Sequence, residues 1–208
     1  MEEFDVYLFD FDGTLVDSHE SLKEIFKRAY KSVGVDVSDD YIRRLMRVQL
    51  QQGYKELNAP QDEESFHKFG EEIIRLLDDE EITKLVLNYD DVHQALFVLH
   101  SMGKKLGIVT SNNQKHVRDV LRHLGIDENY FSVIVGNKET KKHKPNPDPI
   151  LKALELLNIS SEGVCYVGDG LDDMTCAVEA GVYPILLDRL DEYGDSNHIV
   201  IKTLEELY

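Results

Sequence analysis

The sequence predicts a doubly wound α/β fold, a parallel sheet with helices on both faces and a helical domain inserted after the first strand. Three observations lead there. Short apolar runs rich in β-branched and aromatic residues alternate with segments of helical period. Those runs are too continuously apolar to keep one face in water, as expected of strands in a buried parallel sheet. Finally, residues 16–84 carry helical patterning between the first strand and the next candidate, far more than one crossover needs.

The first strand spans roughly Phe4–Asp10 and ends in Asp10-Phe11-Asp12-Gly13-Thr14. From Ser18 the period changes: Leu22, Ile25, Phe26, Ala29, Tyr30 and Val33 recur at three and four, an amphipathic helix closed by Gly34. A second helix is expected over 38–57. A third spans 62–77, with Phe66, Phe69, Ile73 and Leu76 on one face, and the acidic run 78–81 starts the return. The α/β rhythm then resumes. Helices are expected at 92–102, 117–124, 149–157 and from Asp173 to Gly181. Strands are expected at 106–109, 131–135, 164–167 and 183–187, with a short strand and a helical fragment in the tail 198–208. The domains are thus 1–15 with 85–208 for the α/β core, and 16–84 for the helical insert.

Composition excludes several classes of partner. Forty acidic against 23 basic residues give a formal net charge of -17, which repels nucleic acid and anionic membrane in bulk. Small anions remain possible ligands where local positive groups or a metal meet them. No apolar run approaches the roughly 18 residues of a membrane span, and no basic, apolar leader opens the chain. The two cysteines, Cys165 and Cys176, fall in a strand and a helix and form no zinc spacing. A cytoplasmic protein is expected. Monomer and homodimer both stay open.

Chemistry concentrates at the carboxyl ends of the strands, where open α/β sheets bind ligands. Asp10 and Asp12, two apart on an extended chain, point the same way. So close a like-charged pair calls for a cation, a proton, or both. Three further polar clusters occupy equivalent positions: Thr110-Ser111, the loop Lys144-Pro145-Asn146-Pro147, and Gly168-Asp169-Gly170-Leu171-Asp172-Asp173. Carboxylates without sulfur suit a hard divalent ion such as Mg²⁺. Lysine and threonine suit phosphoryl oxygens.

These four clusters, in this order, resemble the four motifs of the haloacid dehalogenase-like phosphohydrolases, and the resemblance covers nearly the whole chain. It implies a Rossmann-like core, and it makes the helical insert a small α-helical cap of the kind found in phosphoglycolate phosphatases. It also implies roles. Asp10 is the nucleophile. Asp12 is the general acid and then the base for the attacking water. Asp10, the backbone carbonyl of Asp12, Asp169 and Asp173 hold Mg²⁺, with Asp173 either a ligand or orienting the ion's water. Thr110, Ser111 and Lys144 hold phosphoryl oxygens. Two positions depart from the family pattern: Gly170 replaces a frequent Ser, and Ser111 a frequent Asn.

The expected reaction is Mg²⁺-dependent hydrolysis of a small phosphomonoester, with phosphoglycolate the first candidate substrate. Pyrophosphate or a nucleotide is the alternative within hydrolysis, and a sugar phosphomutase would use the same core. A non-catalytic binding module is the alternative from another class. Arg43 and Arg47, four apart on one helix, are candidates for reading a second anionic group of the substrate.

Overall fold

The computed structural model describes residues 3–45, 50–57, 59–194 and 196–208. In chain order the elements are β1 (Val6–Phe9), β2 (Val16–Asp17), α1 (His19–Ser32), α2 (Asp39–Leu45), α3 (Leu50–Glu56), α4 (Glu63–Leu77), α5 (Glu80–Thr83), β3 (Leu87–Asn88), α6 (Val92–Ser101), β4 (Lys105–Val109), α7 (Gln114–Leu124), β5 (Phe131–Val135), α8 (Asp148–Leu157), β6 (Val164–Gly168), α9 (Leu171–Ala180), β7 (Tyr183–Leu187) and β8 (Ile199–Ile201). A short 3-10 turn precedes β5, and another, Leu204–Leu207, follows β8.

The chain divides into two compact units, Met1–Asp17 with Asn88–Tyr208, and Ser18–Leu87. In the first, six strands form a sheet in the order β5-β4-β1-β6-β7-β8, and every pairing is parallel. β1 lies inside the sheet and is buried along its whole length. Val6 and Leu8 join Val133, Val135, Ile150, Ala153, Tyr166 and Ala177 in one core cluster. On the opposite face Tyr7 and Phe9 stack at 6.5 Å between ring centroids. Burial on both faces explains why the strand reads as an unbroken apolar run.

The second unit is helical, and its core is aromatic. Phe69 meets Tyr30 at 4.6 Å and Tyr54 at 4.9 Å, and Tyr54 meets Phe66 at 5.0 Å. The buried Tyr54 hydroxyl donates to the Pro60 carbonyl at 2.8 Å, so the ring's polar end is satisfied. Ile25, Leu76 and Ile82 form a smaller cluster.

The local differences from the sequence reading have physical causes. The helix expected over 38–57 is described as α2 and α3, with 46–49 between them outside the described residues. α7 starts at Gln114 rather than 117 because Asn113 caps it, its side chain accepting from the His116 amide at 2.9 Å. The acidic run at 78–81 holds the start of a one-turn helix, α5, with Asp79 accepting from the Glu81 amide at 2.9 Å. The ladder of β2 with β3 was not anticipated, because each strand is only two residues long.

Candidate active site

Parallel strands place their carboxyl ends on one edge of the sheet, and the candidate residues follow those ends. Asp10 comes directly after β1, Thr110 after β4 and Asp169 after β6, while Asp173 sits in the first turn of α9. Lys144 lies in the loop from β5 to α8. The backbone ties these points together: the Asp10 amide donates to Val167 O at 2.8 Å, and the Thr110 amide to Val135 O at 2.9 Å.

Lys144 is the centre of the cluster. Its Nζ donates to Asp10 Oδ1 at 2.6 Å, to Asp173 Oδ1 at 2.7 Å and to the Tyr166 hydroxyl at 3.2 Å. Tyr166 in turn donates to the Val109 carbonyl at 2.9 Å. Asp173 Oδ2 accepts from the Gly170 amide at 3.0 Å, so one carboxylate both caps its helix and faces the lysine. Asp12 turns elsewhere: its Oδ2 accepts from Asn112 Nδ2 at 2.5 Å. The Asn112 amide donates to Thr110 Oγ1 at 3.1 Å, joining the first and second clusters.

Two glycines make room. Gly13 has φ +72°, a left-handed conformation that a side chain disfavours, and a Cβ there would stand 2.2 Å from Asp169 Oδ2. At Gly168 a Cβ would stand 2.5 Å from the Asp173 carboxyl carbon.

The electrostatics are those of crowded, buried carboxylates. Burial pushes the Asp10 carboxyl well above its ordinary range. Lys144 opposes that shift, and Asp173, Asp169 and Asp12 add to it. Burial and the charge of Asp173 push Asp169 up to about 7. Burial works against the Lys144 ammonium, but the facing Asp10 and Asp173 outweigh it and hold the lysine charged. Asp10, Asp169 and Asp173 each offer an oxygen, all within 4.8 Å of one another. An all-oxygen donor set with excess negative charge fits a hard divalent cation such as Mg²⁺, whose charge would remove the repulsion that lifts Asp10 and Asp169.

The structure therefore brings Asp10, Lys144, Asp169 and Asp173 together, with Asp12 and Thr110 joined to one another through Asn112. Ser111 is exposed, as is Asp172 of the fourth cluster. Cys165 and Cys176 are buried and unbridged. Arg47 and the side chain of Arg43 lie outside the described residues. Two participants were missed. Asn112 stands two positions past Thr110 in a strand-end loop, the same spacing that marked Asp10 and Asp12. Tyr166 looked like ordinary strand filling, although a phenol inside a buried parallel strand needs a polar partner.

A family model described as haloacid dehalogenase-like hydrolase matches residues 7–187, and the chain belongs to that family. Pyrophosphatase PpaX of Halalkalibacterium halodurans is 31% identical over 182 residues, spanning 86% of this chain and 81% of that protein. Pyrophosphatase PpaX of Listeria monocytogenes is 30% identical over 176 residues, spanning 84% and 76%. Among solved structures, a haloacid dehalogenase-like protein from Bacteroides fragilis superposes with a TM-score of 0.88 at 26% identity, over 99% of this chain and 100% of that one. A predicted phosphoglycolate phosphatase from Haemophilus somnus superposes with a TM-score of 0.72 at 25% identity, over 90% and 87%. With this core, a helical cap and the aspartate cluster, the protein is a haloacid dehalogenase-like phosphohydrolase.

Proposed function

We propose that the enzyme hydrolyses a small, multiply charged phosphate compound, with inorganic pyrophosphate the foremost candidate. The observation that carries this reading is the likeness to proteins named pyrophosphatase, at 30–31% identity over 84–86% of the chain. Phosphoglycolate is the second candidate, supported by the likeness to the Haemophilus somnus protein.

In this reading an Asp10 oxygen attacks phosphorus, forming an aspartyl phosphate as the bond to the leaving oxygen breaks. Asp12 gives its proton to that oxygen. It then takes a proton from water as the water attacks phosphorus and the Asp10–phosphorus bond breaks. Asn112 holds Asp12 in place through Oδ2, which leaves Oδ1 for the proton. Thr110, Ser111 and Lys144 bind phosphoryl oxygens. Lys144 already spends its three N–H groups on Asp10, Asp173 and Tyr166, so a phosphoryl oxygen must displace one of them, and the Tyr166 contact is the longest. Asp10, Asp169, Asp173 and the Asp12 carbonyl would hold Mg²⁺, which supplies Lewis-acid stabilisation of the phosphoryl charge and keeps the carboxylates ionised. Arg43 and Arg47 are proposed to read the second anionic group.

The test is phosphate release from pyrophosphate, phosphoglycolate, nucleotides, sugar phosphates and an aryl phosphate. Each is assayed with Mg²⁺, with EDTA and with the Asp10→Asn protein. Pyrophosphate should stand at least tenfold above the rest in kcat/KM and be lost in both controls. Preference for phosphoglycolate would replace the substrate and keep the chemistry.

A further inference from the structure

Two residues beyond β7, the side chain of Arg189 turns back into the α/β unit and is nearly buried. One guanidinium nitrogen donates to the Thr14 carbonyl at 3.0 Å, and the other terminal nitrogen donates to Asp91 Oδ2 at 2.9 Å. The guanidinium carbon lies 3.9 Å from the centroid of the Tyr89 ring. The same Asp91 oxygen accepts from the Leu204 amide at 2.7 Å. The Arg189 side chain thus joins two separate stretches of chain, and its partner Asp91 ties in a third. The first is the loop carrying Asp12 and Gly13. The second is the segment Tyr89–Asp91, by which the chain re-enters this unit. The third is the C-terminal turn.

The loop has little freedom to spare. Gly13 N donates to Val16 O at 2.9 Å, and Phe11 O accepts from the amides of Leu15 and Val16 at 2.9 and 3.1 Å. Gly13 passes so close to Asp169 that not even a methyl group fits between them. A small drift of this loop would therefore change both where Asp12 points and where the Asp169 carboxylate can sit. The pull on Thr14 O comes from a planar, two-pronged cation braced on a ring, a geometry that lysine cannot reproduce.

We propose that Arg189 is a positioning residue for phosphoryl transfer, clamping the Asp12–Thr14 loop against the re-entry segment. It touches neither substrate nor reacting atoms. The inference rests on the reading of Asp12 and Asp169 given above.

The experiment uses the full chain with Mg²⁺ and compares wild type, Arg189→Ala, Arg189→Lys and the surface control Arg122→Gln. Phosphate release from pyrophosphate and an aryl phosphate is measured alongside amide hydrogen exchange. Arg189→Ala should lower kcat at least tenfold with KM within threefold, and added guanidinium ion should restore part of it. Arg189→Lys should fall between it and wild type, and Arg122→Gln should match wild type. Exchange should quicken at least tenfold in the peptide covering 11–16 while β4 and β5 stay protected. Unchanged exchange at 11–16 in a folded variant would overturn the clamp, as would a rise spread evenly over the sheet. If Arg189→Ala does not fold, Arg189→Lys carries the same readouts. If wild type releases no phosphate from any substrate, the substrate reading fails, and the exchange data still decide the clamp.

Discussion

The two compact units bury different things. The α/β unit buries charge: Asp10, Asp173 and Lys144 sit in one hydrogen-bonded cluster at the end of an apolar sheet. The helical unit buries rings, with Tyr30, Tyr54, Phe66 and Phe69 packed on one another. Its described ion pairs, such as Arg75–Glu72 and Arg28–Glu24, lie toward the surface. Buried ions are costly unless paired, so a buried cluster of them at strand ends is a candidate site for chemistry. A ring cluster supplies stability without chemistry. The comparison teaches that the buried charged cluster belongs to the first unit, and that the described core of the second is held by ordinary apolar packing.

That contrast can be broken, and the largest effect belongs to Asp10. Asp10→Asn should reduce turnover by at least about 10³-fold, because an amide is no nucleophile toward phosphorus. Circular dichroism should show an intact fold, and near-normal turnover would remove the charged cluster from the chemistry. Next comes Phe69→Ala, which empties the centre of the ring cluster. It should cost about 3–5 kcal/mol of stability by urea unfolding, while Mg²⁺ affinity measured calorimetrically on the folded fraction stays unchanged. A shift in Mg²⁺ affinity would mean that the two units are not separable in function.

The third effect is a pH dependence. Asp169 rises from 3.8 to about 7 on folding, through burial and the charge of Asp173. Between those values the folded state holds more protons than the unfolded state. In EDTA this residue's contribution is therefore fully present below about pH 4 and lost as pH rises through about 7, amounting to as much as about 4 kcal/mol. Urea midpoints in EDTA across that window should fall more steeply for wild type than for Asp169→Asn. Saturating Mg²⁺ should abolish the slope, since metal binding needs the ionised carboxylate. Equal slopes for the two proteins would contradict a repelling carboxylate cluster. The smallest effect is expected at the surface of the helical unit. Arg75→Gln removes a solvent-exposed pair with Glu72 and should leave the thermal midpoint within about 1 °C.

Several features were legible before any coordinates. The run Val6–Phe9 had to be a buried strand because it is apolar on both faces. The periods at 131–135 and 183–187 marked strands that the structure reproduces residue for residue. Asp10, Asp169 and Asp173 could be singled out because their clusters, taken in order, resemble the family's motifs. Local signals suffice wherever the physics is local: periodicity, a capping residue, a glycine past a helix.

Tertiary structure decided what those signals could not. That Lys144 reaches both Asp10 and Asp173 depends on the loop's path, which its motif does not show. Asn112 and Tyr166 acquired roles only once strands far apart in sequence lay side by side, because a hydrogen bond between residues 12 and 112 has no local trace. The sequence alone determined the sheet, the helices and the set of acids. Which of those acids meet, and which residue lies between them, was set by parallel packing, which brings distant strand ends to one edge.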